Sequence, residues 1–351
     1  MSLRDRAEEN AETDEAAKLR GNLETERKKH AATRRELART QERVTELEKA
    51  LERFTVAAPA DMKVPKWLTR KRSKKAHRAT ALLVLSDLHL DEVVDLDEMS
   101  GMNEFNRKIA EQRLEGVVNG TERICSRYVA GVEFDGIVVA LNGDVLSGSI
   151  HDELDRTNEA PTMASVVHWV PNLAAALTHL ADTFGAVFVP CTDGNHDRYY
   201  KKVPAKQRVE SSLAWVLYNW LADTLRDDNR ITFRITTAPG QTYPIYDTVV
   251  HQIHGDGFRG GGGIGGIYPP MLKYLHRMDK MWADAGVAVD LHVMGHWHQY
   301  LTGRNYLVNG SLKGFDEYAR SKGFTPEPAR QALAIVTPER GVTMQMPVYA
   351  D

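Results

Sequence analysis

Five short polar motifs in this chain each follow or close an apolar run. In chain order they are Asp87-Leu88-His89, Gly143-Asp144, Gly194-Asn195-His196-Asp197, His254-Gly255-Asp256 and Gly295-His296-Trp297-His298. A short, nearly continuous apolar run is typical of a strand that is buried on both faces. Open α/β sheets place their binding sites just past the carboxyl ends of such strands. A fold that packs these runs into one sheet core therefore brings the motifs together.

Helical periodicity occurs between the apolar runs, so strands and helices alternate along the chain. Helices are predicted around residues 103–130, 161–184, 206–226 and 270–285. Strands are predicted at Ala81–Leu85, Phe134–Leu141, Ala186–Pro190, Ile231–Thr237, Thr248–Ile253 and Val289–Met294, with a β-rich tail from Tyr306 to Val348. This alternation predicts an α/β fold with a layered sheet core.

The motifs supply oxygen and imidazole donors but no thiolate. The candidate ligands are Asp87, His89, Asp144, Asn195, His254, His296 and His298. Seven donors exceed one tetrahedral site but suit two metals that share a bridging carboxylate. The donor set suits Mn, Fe, Zn, Ni or Co and argues against a dedicated Ca or Mg cage. Two such ions roughly 3.5–4 Å apart clamp a phosphate and polarise a water, which predicts phosphoester hydrolysis.

The ordered set D-x-H, G-D, G-N-H-D, a later His and G-H-x-H resembles the calcineurin-like metallophosphoesterase superfamily over about residues 81–311. The resemblance implies a layered β-sandwich flanked by helices, with two divalent ions, Mn being the first expectation. It implies that Asp87, His89 and His298 hold the first metal, that Asn195, His254 and His296 hold the second, and that Asp144 bridges them. Many relatives carry a polar Asn or Asp shortly after G-D, where this chain has Val145-Leu146-Ser147. That difference is expected to affect substrate contacts and not the metals.

Two residues are expected to be catalytic and one to bind substrate. The resemblance implies that His196 is not a ligand but protonates the leaving-group oxygen or steadies the phosphate, with Asp197 orienting it. Arg198 is expected to meet a phosphate oxygen, and an ordinary surface role is the alternative. His254 is preferred to His251 as the ligand because Gly-Asp follows it, and a strand would turn the two rings to opposite faces.

The first 55 residues differ in composition from the rest of the chain. They are rich in Glu, Arg, Lys, Ala and Leu and contain one Gly and no Pro. A heptad register aligns a mostly apolar column that includes Leu23, Leu37 and Val44, and its seam is best from Leu37 to Phe54. The pattern predicts a coiled-coil helix that pairs two copies of the chain. A solvated, unpaired helix is the alternative, because charges of both signs are interspersed.

Residues 56–80 are predicted to be a linker before a domain that spans 81–351. Pro59 and Pro65 end the helix, and a basic run follows from Lys66 to Arg78. Such a run can contact the phosphate backbone of a nucleic acid, or it can serve as a solubilising tether. The formal net charge is −3, so attraction to nucleic acid must come from local patches of this kind.

Cysteine content and hydropathy suggest the compartment. The chain has 2 cysteines, with neither a metal-binding spacing nor a disulfide framework, which is typical of a reducing compartment. We find no secretory signal and no apolar run of transmembrane length, so the expectation is a cytoplasmic protein that does not enter membranes.

The motifs predict the reaction but leave the ester open. The basic run and the pairing helix favour a nuclease or phosphodiesterase that acts on DNA or RNA, similar to the Mre11/SbcD-type nucleases. A small-molecule phosphomonoesterase or cyclic-nucleotide phosphodiesterase is the alternative, and a metal-stabilised assembly or scaffold protein is a second one. The Gly-rich stretch from Gly255 to Gly266 lacks the Gly-Lys-Ser/Thr ending of a P-loop. It is expected to be a flexible loop at the rim of the site.

Deleting residues 1–55 should abolish self-association, because the predicted apolar seam lies within that segment. The measurement is the mass in solution, by light scattering on the full chain and on the truncated chain at equal concentration. If the truncated chain forms particles with the same number of chains as the full chain does, the heptad interpretation is contradicted.

Overall fold

The computed structural model describes residues 23, 25–42, 44–45, 64–69, 77–260 and 266–351. The chain divides into two units, Met1–Ala58 and Pro59–Asp351. In the first unit the described positions are helical, and the seam residues Leu23, Leu37 and Val44 are exposed. Exposed apolar side chains at these positions are what pairing requires, and pairing stays a prediction. Three parts of the chain lie outside the described residues: the remainder of the predicted coiled coil, residues 70–76 of the basic run, and residues 261–265 of the Gly-rich stretch.

The second unit consists of two β-sheets with helices on their outer faces. Its described strands are β1 Arg78–Leu85, β2 Glu133–Asn142, β3 Val187–Thr192, β4 Ile231–Ile235, β5 Gly240–Ile245, β6 Thr248–Ile253, β7 Leu291–Met294, β8 Leu301–Thr302, β9 Tyr306–Val308, β10 Arg330–Thr337 and β11 Gly341–Tyr349. Its described α-helices are α1 Arg107–Arg123, α2 Asp152–Thr157, α3 Thr162–Phe184, α4 Leu213–Thr224, α5 Tyr268–Asp284 and α6 Glu317–Ser321. A 3₁₀ turn, Lys66–Thr69, precedes β1.

Both sheets are mixed and have a parallel centre. The first sheet has the order β11-β10-β1-β2-β3-β4, and β1 to β4 run parallel to one another. The second has the order β5-β6-β7-β9-β8, with β6, β7 and β9 parallel. Parallel neighbours end at the same edge, so the polar residues after these strands are brought together in space.

The apolar residues of β1 alternate between two cores because the strand is buried on both faces. Leu82 and Val84 pack with residues of the second sheet, such as Val250 and Leu291, in the core between the sheets. Leu83 and Leu85 pack on the other face with apolar residues of α1, α3 and α4. The near-continuous apolar run of β1 is thus explained by burial on both sides. The predicted α/β class with a layered sheet core is confirmed at this level.

A smaller apolar cluster lies on the outer face of the second sheet. Met271 and Leu275 of α5 contact Ile253, Met294 and Val308. Four aromatic side chains pack against this cluster, namely Phe258, Tyr274, Trp297 and Tyr306. Trp297 stands between two of the predicted ligands, so its ring fixes the motif Gly295-His296-Trp297-His298 on the sheet.

The largest departure from the predicted elements is a loop where a helix was expected. The helix predicted for residues 206–226 begins only at Leu213, and residues 198–211 form an irregular loop. Ser212 caps the helix by accepting a hydrogen bond from the amide of Trp215. Periodicity missed this start because the apolar residues Val203 and Val209 precede the cap. Strands β5 and β8 and the short helices α2 and α6 were also not predicted.

The described part of the basic run lies at the amino end of the parallel strands. Arg78, the first residue of β1, pairs with Asp135 and Glu133 at the start of β2. Trp67 packs against Gly136 in the same region. A strand of 8 residues spans roughly 26 Å, and the motifs follow its other end. Lys66 and Arg78 are therefore far from the edge that carries the motifs, which removes them as phosphate contacts there.

We also find that, across the described residues, every helix is too short or too polar to cross a membrane.

Candidate metal centre

All seven predicted ligands lie at one edge of the two sheets. Asp87 and His89 follow β1, Asp144 follows β2 and Asn195 follows β3. From the second sheet, His254 follows β6, and His296 and His298 follow β7. Among the described residues, three sets of side chains have their donor atoms within 4.8 Å of one another: Asp87, His89 and His298; Asp144, His254 and His296; and His89, Asp144 and His196.

The first cluster directs two imidazoles and a carboxylate at one point. His89 Nε2 and His298 Nε2 are 3.0 Å apart, and His298 Nε2 is 3.5 Å from Asp87 Oδ1. Two ring nitrogens that face each other at this distance cannot both carry a proton, so at least one of them presents a lone pair. His89 Nδ1 lies 3.1 Å from Glu92 Oε2, so Nδ1 is the nitrogen that carries the proton and Nε2 keeps its lone pair. This arrangement suits a cation.

The second cluster is organised around His254. Its Nδ1 is 2.8 Å from the carbonyl oxygen of Asn142, so that nitrogen carries the proton and donates it. The opposite nitrogen, Nε2, faces both Asp144 Oδ2 at 3.0 Å and Asn195 Oδ1 at 3.2 Å. The ring of His296 is 5.3 Å from that of His254. The four side chains assigned to this side by the resemblance, Asp144 included, therefore surround one point.

Asp144 lies between the two clusters. It is grouped with His89 on one side and with His254 and His296 on the other. One of its oxygens also accepts a hydrogen bond of 2.6 Å from the backbone amide of His196. A carboxylate that is shared in this way is the geometry a bridging ligand needs.

The electrostatics of the buried site keep two of its histidines neutral and place positive charge beside Asp144. Burial, with the positive charge of Lys313 adding to the effect, lowers the pKa of His89 to about 4. Burial likewise lowers the pKa of His296 to about 4, with His254 adding to the effect. His254 differs: burial alone would lower its pKa, but the facing Asp144 carboxylate raises it well above the ordinary value. Neutral imidazoles are the ligand form, and a cation beside Asp144 would supply the charge that His254 otherwise takes up as a proton.

Most of the predicted ligands have left-handed backbone. The φ angles of Asp87, His89, Asp144, His296 and His298 are 52°, 46°, 49°, 70° and 52°. Non-glycine residues rarely adopt this region, and each such residue costs of order 1–3 kcal/mol. Five strained residues at one edge indicate that the surrounding contacts over-determine the site.

Two motif glycines are required because another motif's carboxylate occupies the space of a side chain. A Cβ on Gly295 would clash with Asp87 Oδ2 and Ser86 Oγ. A Cβ on Gly194 would clash with the carboxylate and the amide of Asp144. Each glycine thus lets the loop after one strand approach the aspartate after another.

A polar network holds Asp87 in place. Its Oδ2 accepts from Ser86 Oγ at 2.6 Å, and its Oδ1 accepts from the amide of His296 at 2.8 Å. Asn309 donates to Ser86 Oγ at 2.9 Å and to Gln331 Oε1 at 2.9 Å. Asn309 lies in the loop after β9 and Gln331 lies in β10, and neither belongs to a short motif that would identify it from the sequence.

A buried charge triad supports His89. Lys313 Nζ lies 2.6 Å from Glu92 Oε1 and 2.5 Å from Asp316 Oδ2, and all three side chains are buried. Glu92 faces His89 through its other oxygen. Burial alone would raise the pKa of Glu92, but Lys313 and His89 hold it well below its ordinary value. The Glu92 carboxylate is therefore ionised and fixes the His89 ring.

His196 lies where the resemblance predicts, but Asp197 does not orient it. His196 Nδ1 is 2.9 Å from the carbonyl oxygen of Ser147, and its ring is 4.6 Å from that of His89. The Asp197 carboxylate instead accepts from the backbone amides of Asp144 and Val145, at 2.7 and 3.1 Å, and from that of Gly194 at 3.0 Å. The prediction for Asp197 was wrong in this respect: it shapes the turn that carries Asp144. Sequence adjacency suggested a partner that the backbone geometry does not provide.

Arg198 is directed at its own loop. Its guanidinium donates to the carbonyl of Tyr200 at 2.9 Å, to that of Lys201 at 3.0 Å and to that of Asn195. Three of its five N–H groups are thereby used on backbone. These contacts indicate that Arg198 stabilises its own loop, in place of the predicted contact with a phosphate oxygen.

Sequence reasoning also missed a link between the second cluster and the loop at residues 198–211. Arg208 Nε lies 2.7 Å from Asp193 Oδ2, and its Nη1 lies 3.0 Å from Asp256 Oδ2. This guanidinium joins the loop after β3 to the loop after β6, so it ties the two sheets together beside His254. The one available signal was that Asp256 belongs to a motif and needs a partner.

His251 faces away from the site, as predicted. Its Nδ1 is 2.9 Å from His292 Nδ1, and His292 Nε2 is 2.8 Å from Asp279 Oδ1 on α5. Both rings are buried on the outer face of the second sheet. The preference for His254 over His251 therefore agrees with the geometry.

Comparison with known proteins adds little to this geometry. No protein-family model matches the chain, and no curated protein matches it. Among solved structures, vacuolar protein sorting 29 from Cryptosporidium parvum is similar over 77% of this chain and 98% of that chain, with 12% identity and a TM-score of 0.29. The sulfate thiohydrolase SoxB of Thermus thermophilus, in complex with glycerol, is similar over 80% of this chain and 57% of that chain, with 10% identity and a TM-score of 0.29. We draw no conclusion on fold or activity from TM-scores this low.

Replacing Gly295 by alanine should weaken metal binding at the first cluster, because the added Cβ displaces Asp87 and Ser86. We expect affinity for Mn²⁺ to fall about 10–100-fold, as for other changes that misplace a ligand's support. Titration calorimetry on the full chain measures it. Gly286→Ala is the control: nothing lies within 4 Å of its added Cβ, so its φ of 79° adds backbone strain without displacing a ligand. Unchanged Mn²⁺ binding in G295A would show that this close approach is not needed.

Glu92→Gln should also lower Mn²⁺ affinity about 10–100-fold, because His89 loses the carboxylate that fixes its ring. The measurement is the same titration, with the melting temperature recorded to confirm folding. Glu98→Gln, an exposed acid in the same loop, serves as the control and should bind as the wild type does. An E92Q variant that melts cooperatively and binds Mn²⁺ with wild-type affinity would remove Glu92 from the metal centre.

Proposed function

We propose that this protein is a two-metal phosphoester hydrolase of the calcineurin-like metallophosphoesterase type. The observation that carries the proposal is the position of Asp144, a buried carboxylate shared by two clusters of histidine donors. The motif resemblance gives independent support, because it assigns the same residues to the same two groups. Asp87, His89 and His298 would hold one ion, Asn195, His254 and His296 the other, and Asp144 both.

The residues present fit divalent transition metals. Imidazole nitrogens predominate and thiolates are absent from the three donor sets found in the described residues. Such sets suit Mn, Fe, Zn, Ni or Co, and we propose Mn²⁺ as the first ion to test. When bound, two ions of this kind polarise a phosphate and make water a nucleophile near neutral pH.

The chain itself would supply proton transfer and rigidity. His196 is half-buried beside His89, and its Nδ1 points at the carbonyl of Ser147, so Nε2 is the nitrogen that would protonate the leaving oxygen. Burial lowers the pKa of His196, and Asp144 acts in the opposite direction. Asp197 would hold Asp144 through the backbone, and Glu92 would hold His89.

For the substrate we propose a phosphodiester of DNA or RNA. The described ends of the basic linker do not support it, since Lys66 and Arg78 lie at the far edge of the sheet. Support comes from the loop at residues 198–211, which is basic and borders the site. A small-molecule phosphomonoesterase or a cyclic-nucleotide phosphodiesterase is the alternative within the same chemistry. A scaffold that keeps its metals for structure would not need a half-buried His196 beside the donors.

The test uses the purified full chain with and without Mn²⁺. Substrates are bis(p-nitrophenyl) phosphate, p-nitrophenyl phosphate, and labelled single- and double-stranded DNA and RNA. Hydrolysis of the diester and of nucleic acid, lost on chelation and restored by Mn²⁺, is the expected result. Hydrolysis of only the monoester would favour a phosphomonoesterase, and two bound ions without any hydrolysis would favour the scaffold.

His196→Ala should retain two ions per chain and lose turnover by about 10²–10⁴-fold, the range for removing a general acid. Metal content by elemental analysis and kcat on bis(p-nitrophenyl) phosphate are the two readouts. His179→Ala, at an exposed histidine that pairs with Glu122 on the surface, should match the wild type. Loss of one ion in H196A would instead make His196 a ligand, since its ring is also within reach of His89 and Asp144.

A further inference from the structure

We propose that the segment Arg198–Ser211, here called the tyrosine loop, binds unpaired bases and backbone of a single-stranded nucleic acid beside the metal centre. This inference rests on the proposed hydrolase function and names the substrate class that the same site would take. The residues that carry it are not metal ligands and have no role in the proposed metal chemistry.

Both ends of the tyrosine loop are fixed to the metal centre. At its start, Arg198 follows Asp197 directly, and Asp197 holds the turn that carries Asp144. At its end, Arg208 pairs with Asp193 and Asp256, and the amide of Leu213 donates to the carbonyl of Asp197 at 2.7 Å. The loop is therefore a rim of the site and not a distant excursion.

The middle of the loop reaches the His196 side of the centre. Lys201 Nζ pairs with Asp152, the first residue of α2. His151, the residue before Asp152, has its ring 5.8 Å from the ring of His196. A nucleic-acid strand that is bound along the loop therefore lies close to His196, which we propose protonates the leaving oxygen.

Arg198 shapes the turn that carries the two tyrosines. Its guanidinium donates to the carbonyls of Tyr200, Lys201 and Asn195, so the backbone on both sides of the tyrosines is tied to one side chain. The amide of Tyr199 donates to the carbonyl of Ser211 at 3.3 Å. A binding loop organised in this way loses little conformational freedom when a ligand binds.

Tyr199 and Tyr200 present their rings to solvent. Their relative exposures are 67% and 55%, and the two rings meet edge to face with centroids 5.4 Å apart. Exposed apolar surface that is rimmed by polar residues marks interaction sites and ligand-binding grooves. Unpaired bases stack on such rings whatever their sequence.

The charge of the loop suits a phosphate backbone. It contains five basic residues and one acidic residue, Glu210. Arg198 is used on backbone carbonyls, Arg208 pairs with Asp193 and Asp256, and Lys201 faces the acidic start of α2. Lys202 and Lys206 are exposed, and within the described residues they form no ion pair. These two lysines are the ones left to neutralise phosphates on either side of a stacked base.

Exposed rings distinguish a single strand from the other candidates. A duplex keeps its bases stacked on each other, so its backbone alone would meet this loop and the tyrosines would contribute nothing. A protein partner would use the rings as apolar anchors and would be indifferent to phosphate. The combination of ring pair and free lysines beside a phosphodiester site therefore favours a single strand.

The experiment measures binding of a fluorescein-labelled oligothymidylate to full-length H196A with Mn²⁺, by fluorescence anisotropy. The Tyr199→Ala/Tyr200→Ala double change should raise the Kd about tenfold or more, from the loss of base stacking. An oligomer of the same length with abasic sites should bind the parent weakly and be indifferent to the double change. Tyr128→Ala, an exposed tyrosine at the amino end of the strands, should leave the Kd unchanged.

The lysines are tested through salt dependence. Lys202→Gln/Lys206→Gln should reduce the slope of log Kd against log salt concentration by about 1.4, or about 0.7 for each lost phosphate contact on a single strand. Lys66→Gln, at the far edge, should leave the slope unchanged. An unchanged slope in the double lysine variant would remove these residues from the binding surface.

The outcomes separate this inference from the proposed function. Mn²⁺-dependent hydrolysis of bis(p-nitrophenyl) phosphate by the wild type, with no binding of the oligomer, would overturn the tyrosine loop and leave the hydrolase in place. Equal affinity for the abasic oligomer, or tighter binding of duplex, would also overturn it. Binding that depends on the tyrosines, without hydrolysis of any ester, would keep the loop and overturn the hydrolase.

Discussion

The buried carboxylate of Asp144 is the group on which the rest of this edge depends. Burial raises the cost of its charge, and three histidines around it offset that cost, so its pKa falls well below the ordinary value. The backbone around it is strained and is held by Asp197, whose own pKa burial raises to about 7 with Asp144 adding to the effect. Buried carboxylate oxygens and ring nitrogens that lie within 4.8 Å of one another form donor sets of the kind that bind cations. That arrangement is why the site is best understood as a place for cations.

The two-sheet architecture explains how one edge collects donors from so many parts of the chain. Each sheet contributes loops that follow parallel strands, and the core between the sheets fixes their spacing. How closely the loops approach one another is then limited by steric contact. The missing side chain of Gly295 leaves room for Asp87, and that of Gly194 leaves room for Asp144. Support comes from behind, through Glu92 and Lys313 on one side and Arg208 on the other. The metal chemistry and the rigidity of the fold are therefore parts of one arrangement.

The edge also has an asymmetry that bears on substrate. The tyrosine loop borders the His196 side, whereas the aromatic cluster of Phe258, Tyr274 and Trp297 borders the other. In that cluster the rings pack on one another and on α5, with Phe258 and Trp297 stacked at 4.9 Å. In the tyrosine loop the rings are open to solvent. A substrate that stacks would therefore meet the tyrosine side, while the opposite side is already filled by protein.

The sequence by itself determined the α/β class, the positions of most core strands and the identity of the clustered donors, because local patterns record burial on both strand faces and the residue types a metal needs. It also separated His254 from His251, since strand alternation is a local property. Only the tertiary structure decided what supports those donors. Glu92, Lys313, Arg208 and Asn309 act through contacts between residues far apart in the chain, and no local pattern encodes them. For the same reason, adjacency in sequence was a poor guide to the roles of Asp197 and Arg198. Both follow His196, but their side chains form hydrogen bonds with backbone groups that the fold brings to them.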